Sequence, residues 1–222
     1  MEIKELKLFT KFPKELKKFY SDDLGLIVSE LSSTEFKVKV GKTDLYFSEE
    51  KKYSPYYHFA INIPQNKISE AIAWLKPKVS LIESEGSPLI DFNNWNAHSV
   101  YFYDPAGNIV ELIARHDLDN ASDEPFSDKC LLNISEIGMP VENVKVLHDT
   151  LNEKYGEYLW SGNLETFAAI GNQEGLFIVV TTHRNWFPTD KPCNIYTLTV
   201  KVEKNKSAPV VLEHLPYKII FE

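Results

Sequence analysis

Glu111 lies in the apolar run NIVELI, where a carboxylate must find a partner if it is buried, and a metal ion or Arg115 could serve. His58 lies in a similar setting in YYHFAINIP, and Ser99, Tyr101 and Tyr103 alternate along SVYFYDP. An imidazole, a carboxylate and hydroxyls brought to one surface can coordinate a cation or move a proton. His98 and His116 flank the same segments as further acid or base candidates.

Side-chain parity shows which of these share a face, because successive residues of a strand point to opposite sides. With Phe59, Ile61 and Ile63 turned to a packing helix, His58, Ala60 and Asn62 face the other way. With Val110, Leu112 and Ala114 on the helix side, Ile109, Glu111, Ile113 and Arg115 join them, as do Ser99, Tyr101 and Tyr103. Asn62, Ser99, Tyr101, Tyr103 and Arg115 are therefore candidates to touch a substrate, and Tyr101 and Glu111 to take part in its chemistry.

The elements that must position these residues repeat along the chain. Residues 3–10 alternate as a half-buried strand, and Leu16, Phe19, Tyr20 and Leu24 follow at helical spacing with Gly25 as a stop. Three strand-like runs, 26–31, 35–40 and 44–48, complete a βαβββ unit. The plan restarts at Tyr56, with a helix over 67–75 and strands over 79–85, 99–104 and 108–115. The acidic, Pro-containing stretch before Cys130 reads as a linker. Beyond it a third unit opens at Leu131, and Ile134-Ser-Glu-Ile echoes Ile3-Lys-Glu-Leu. A fourth begins near Asn194 with too few residues for a full helix and three strands. The expectation is an α+β protein with paired βαβββ modules over 1–116 forming a curved-sheet cleft, a linker over 117–129, and a truncated second domain of the same type over 130–222.

The net charge of −8, with lysines scattered along the chain, argues against a nucleic-acid partner. The N-terminal segment has no uninterrupted apolar stretch, so neither a signal peptide nor a membrane partner is expected, and the expected location is cytoplasmic. Cys130 and Cys193 have no metal-binding or disulfide-framework spacing.

The segment SVYFYDPAGNIVELIARH, with YHFAINIP one helix earlier, resembles the second module of the vicinal oxygen chelate superfamily, which includes glyoxalase I, extradiol dioxygenases, and fosfomycin- and bleomycin-resistance proteins. The resemblance places a histidine ligand at His58 and a glutamate ligand at Glu111, and puts the third ligand, usually a histidine, at Glu5. One imidazole and two carboxylates suit a divalent metal of the Mn²⁺ or Fe²⁺ kind. It also matches Tyr101 to a substrate-contacting tyrosine, with Ser99 beside it. A module-one glutamate of glyoxalase I would fall near Leu45, which cannot coordinate, and this argues against glyoxalase I activity itself. The implied function is a metal-dependent glyoxalase- or ring-cleavage-dioxygenase-like enzyme acting on a small substrate with vicinal oxygens. The alternative is a metal-free protein binding an antibiotic or metabolite. In Glu136 the third unit repeats the Glu5 position, yet GLFIVVTT has no counterpart of Glu111, so no second metal site is expected. The stretch HRNWFPTDKP is expected to pack or to form a subunit contact, and exposed sheet edges would allow a homodimer.

Overall fold

The computed structural model describes residues 1–203, 208–212 and 214–222. Four modules follow one another. The first comprises β1 (Glu2–Thr10), α1 (Pro13–Lys18), β2 (Ile27–Glu30), β3 (Glu35–Val40) and β4 (Thr43–Glu49). The second comprises β5 (His58–Ile63), α2 (Ile68–Leu75), β6 (Leu81–Ile82), β7 (Ile90–Phe92), β8 (Ala97–Tyr103) and β9 (Ile109–Arg115). The third comprises β10 (Asn133–Val141), α3 (Val144–Tyr155), β11 (Leu159–Gly162), β12 (Phe167–Asn172) and β13 (Gly175–Thr181). The last, with no helix among its described residues, holds β14 (Leu198–Glu203), β15 (Ala208–Val211) and β16 (Tyr217–Phe221).

Local chemistry explains the element ends. α3 starts where the Asn143 side chain accepts a bond from the Val146 N–H, and it stops at Gly156 in the left-handed conformation. α1 is shorter than its apolar spacing predicts: the chain widens into a π-helical turn at Phe19–Asp23 that buries Phe19 and Tyr20. The strand expected over 79–85 is reduced to Leu81–Ile82, with a tight turn at Ser84 to Ser87 and the short β7 after it.

The modules combine differently from the sequence-based expectation. Module one does not close a cleft with module two. One sheet runs β15-β16-β14-β1-β4-β3-β2, and the other runs β11-β12-β13-β10-β5-β9-β8-β6, with β7 paired to β8. Modules one and four therefore join through antiparallel β1 and β14, and modules two and three through antiparallel β5 and β10. The boundary near residue 117 separates modules in sequence but not sheets in space.

Burial gives the physical reason. All nine residues of β10 and all six of β5 are buried, as central strands covered on both faces must be. β1 carries Lys4, Glu5 and Lys7 at partly exposed positions, and facing them into a closed cleft would strip charges of water. The segment 117–129 is pinned as it turns back: Gln65 N–H donates to Asn120 Oδ1 at 2.8 Å, and Phe126 N–H to Glu70 Oε2 at 2.9 Å.

The two sheets share one core, in which Leu6 and Leu8 of β1 belong to the same apolar cluster as Phe59, Ile61, Ile137 and Met139. Polar ties cross it. The Tyr20 hydroxyl donates to Asp104 Oδ2 at 2.9 Å, and Thr43 Oγ1 donates to Ile3 O at 2.8 Å while accepting from Ile134 N–H at 3.0 Å. The opposite face of the β5–β10 sheet is thereby left to form the site.

Candidate metal centre

Ala60 lies between two carboxylates. It is registered with Glu111 on the parallel strand β9 and with Glu136 on the antiparallel strand β10. A methyl group there leaves room for both side chains, and His58, two residues back on the same face, completes the group. His58 Nε2 is 3.7 Å from Glu111 Oε2 and 3.8 Å from Glu136 Oε2. One donor atom from each of the three residues lies within 4.8 Å of the others, and all three residues are buried.

A pseudo-two-fold relation between modules two and three explains this set. The register that pairs Ala60 with Glu136 puts His58 opposite Gly138, as an axis exchanging His58 with Glu136 requires. The residue matching Glu111 is then Ile178, registered with Gly138 on β13. The arrangement has four positions, three of which can coordinate.

Each donor is held by its other atom. His58 Nδ1 is 3.2 Å from the Ile109 carbonyl, which fixes its proton on Nδ1 and frees Nε2. Glu111 Oε1 accepts from Ser99 Oγ at 2.5 Å. Glu136 Oε1 accepts from Arg115 Nη2, and Arg115 Nε donates to Asn62 Oδ1 at 3.1 Å. Arg115 is fully buried, with its guanidinium 5.6 Å from the Trp95 ring and 5.7 Å from the Trp160 ring.

Electrostatics at the floor favour a cation. Burial pushes Glu111 up to about 7; the charge of Glu136 adds to this, and His58, Ser99 and Tyr101 offset part of it. Burial alone would lower the pKa of His58, but its bond to Glu136 and the charge of Glu111 outweigh this and raise it. Burial, then Glu111, holds the Tyr101 hydroxyl well above the usual phenol range, so it stays protonated. A divalent ion would relieve the repulsion between the carboxylates, and the donor set fits one.

A pH dependence follows. Groups whose folded pKa is raised contribute stability that is present at low pH and lost as pH rises through the folded value. Glu111 at about 7, Asp104 raised to about 6 by burial, and His58 all act in this direction. The metal-free protein is expected to lose on the order of a few kcal/mol of stability between pH 5 and pH 8. Urea melts across that range check this, and a stability that rises with pH would contradict it.

The structure separates the residues singled out from the sequence. His58 and Glu111 meet, while Glu5 stands in the other sheet, bonded to Lys201 Nζ at 2.8 Å and partly exposed. The third residue that converges with them is Glu136, marked in the sequence by the echo of Ile3-Lys-Glu-Leu in Ile134-Ser-Glu-Ile. Tyr101 lines the cavity, whereas Ser99, Asn62 and Arg115 orient the donors. Tyr103 is 38% exposed with Lys191 Nζ 4.6 Å over its ring, away from the donors. His98 and His116 bond to each other at 2.7 Å and do not line the cavity.

Above the floor lies a cavity of about 220 Å³ walled by Phe92, Trp95, Phe167, Trp186 and Phe187. Trp186 and Phe187 come from HRNWFPTDKP, and Trp186 sits on Gly138, where a Cβ would come within 2.4 Å of its ring. The ring centres of Trp186 and His58 are 5.2 Å apart. The packing of this segment against the donors was not legible in its spacing.

A structure of a putative dioxygenase from Bacillus subtilis aligns over 100% of this chain and 85% of its own, with a TM-score of 0.62 and 12% identity. Glyoxalase I from Zea mays aligns over 99% of this chain and 91% of its own, with a TM-score of 0.59 and 11% identity. The chain shares its fold with these two proteins. At these identities the likeness concerns the fold alone, and in a fold shared by many activities only the site can argue for one. No protein-family profile matches the sequence, and no curated protein matches it. No helix among the described residues is long and apolar enough to cross a membrane.

Proposed function

We propose that His58, Glu111 and Glu136 hold a divalent metal ion, manganese or ferrous iron by preference, in an enzyme of the glyoxalase and ring-cleavage-dioxygenase type acting on a small substrate with vicinal oxygens. What supports this most is the convergence of three buried donor atoms whose partner atoms are already engaged by Ile109, Ser99 and Arg115. A metal bound there would polarise the substrate oxygens and stabilise negative charge as it develops.

The chain's own residues do the rest. The aromatic walls offer an apolar body faces and edges to pack on. Tyr101, protonated and beside Glu111, supplies a hydrogen-bond donor to a substrate oxygen. Glu111, which lines the cavity beside Tyr101, is positioned to exchange a proton with that substrate.

A metal-free ligand-binding protein is the second reading. It is favoured by the raised pKa of His58, since a protonated imidazole between Glu111 and Glu136 would balance the floor without an ion. Elemental analysis of protein purified without chelators, followed by titration with Mn²⁺, Fe²⁺, Zn²⁺ and Ni²⁺, separates the two. Near-stoichiometric manganese or iron is the expected result. Protein that stays metal-free after all four titrations would leave the binding-protein reading standing.

Two finer readings go with this proposal. The outer strands β2, β11 and β15 are where a second copy would pair to make a homodimer. Two unpaired, buried cysteines suit a reducing compartment and thus a cytoplasmic location.

A further inference from the structure

The cavity above the donors is small, aromatic and edged by one cation. An apolar cavity of about 150 Å³ accommodates benzene, so about 220 Å³ is room for one substituted ring. Trp95, Phe167, Trp186 and Phe187 offer faces and edges to a planar body.

Arg184 lines the same cavity, 5.7 Å from the Phe167 ring. Phe167 is registered with Val180 on β13, and Arg184 follows the end of that strand as a half-buried residue of the cavity wall. Its backbone carbonyl is held by Cys193 N–H at 2.9 Å. Among the described residues no carboxylate pairs with it, in contrast to Arg115, which is committed to Glu136. An unpaired guanidinium fork beside aromatic faces is suited to a carboxylate.

We infer that Arg184 is a specificity-determining residue that selects a compact one-ring aromatic carboxylate, binding its carboxylate at the rim while the ring lies between the aromatic walls. This rests on the cavity being the substrate site, as proposed above, but not on the metal.

The test uses benzoate and its neutral counterpart benzyl alcohol, neither of which carries vicinal oxygens, with binding read by calorimetry and by quenching of the cavity tryptophans. The unaltered protein is expected to bind benzoate at least about tenfold more tightly than benzyl alcohol. Arg184→Gln is expected to bring the two within about twofold, and Arg184→Lys, which keeps the charge but loses the fork, to fall between. Should Arg184→Gln fail to fold, the salt dependence of benzoate binding by the unaltered protein, with benzyl alcohol binding indifferent to salt, carries the same expectation. Equal affinities in the unaltered protein, or a benzoate preference that survives Arg184→Gln, would overturn the inference. Catechol with and without Mn²⁺ forms a separate arm. If Mn²⁺ does not strengthen catechol binding, the metal reading fails while the benzoate result stands on its own.

Discussion

Glu111→Gln and Glu136→Gln should each weaken metal binding by at least about 100-fold, whereas Glu5→Gln should leave it unchanged, because only the first two carry buried donors next to His58. Their effects on the metal-free protein should have opposite signs. Glu111 is ionised at pH 8 only against burial and the nearby Glu136, so an amide of the same shape removes a repulsion and should raise the melting temperature. Glu136 neutralises a fully buried Arg115, so its amide leaves that guanidinium without a counter-charge, and a cost of about 3–5 kcal/mol is expected. Glu5 and Lys201 form a partly exposed pair, worth about 1 kcal/mol or less. Isothermal titration with Mn²⁺ and thermal melts at pH 8 measure both quantities. Metal binding that survives Glu136→Gln but is lost in Glu5→Gln would return the third ligand to β1.

Gly41→Ala should be the most damaging of the small substitutions. Gly41 turns the chain between β3 and β4 with a φ of +52°, and an added Cβ would lie 1.9 Å from the Leu132 carbonyl oxygen and 2.4 Å from that of Leu131. Both are backbone atoms, and Leu132 O also accepts the Lys42 N–H at 2.8 Å, so the neighbour cannot yield without loosening the junction between module one and β10. Left-handed strain of about 1–2 kcal/mol and a backbone clash add together, and a loss on the order of 4 kcal/mol is expected. Gly86 is the control: its φ is +78°, but nothing lies within 4 Å of the added atom, so Gly86→Ala should cost only about 1–2 kcal/mol. Urea melts of the two variants should differ clearly in midpoint, and equal midpoints would show that the Leu132 contact is not a tight one.

Much of the local structure was legible from residue periodicity. Alternation along residues 58–63 and 109–115 put His58 and Glu111 on the face opposite Phe59, Ile61, Val110 and Leu112, and the structure has that division, with the latter four in the shared core. This works because the period of a strand is fixed by backbone geometry and needs no knowledge of its neighbours. The four modules, the last of them shortened, could be read for the same reason, since each repeats one local pattern.

Tertiary structure alone decided which modules pair. β1 and β10 carry glutamate at matching positions, and strand parity does not distinguish Glu5 from Glu136. The choice rests on burial along the whole strand, because β10 is covered throughout while the charged side chains of β1 remain partly exposed. Pairing also ties Arg115 and Asn62 to Glu136 in one hydrogen-bonded chain. It brought HRNWFPTDKP over His58, because the missing side chain at Gly138 leaves room for Trp186. The modules, their apolar faces and the shared face of His58 and Glu111 follow from the covalent chain and its period. The arrival of Glu136 beside them and the walls of the cavity depend on long-range strand pairing, which the desolvation of charge selects and no short segment encodes.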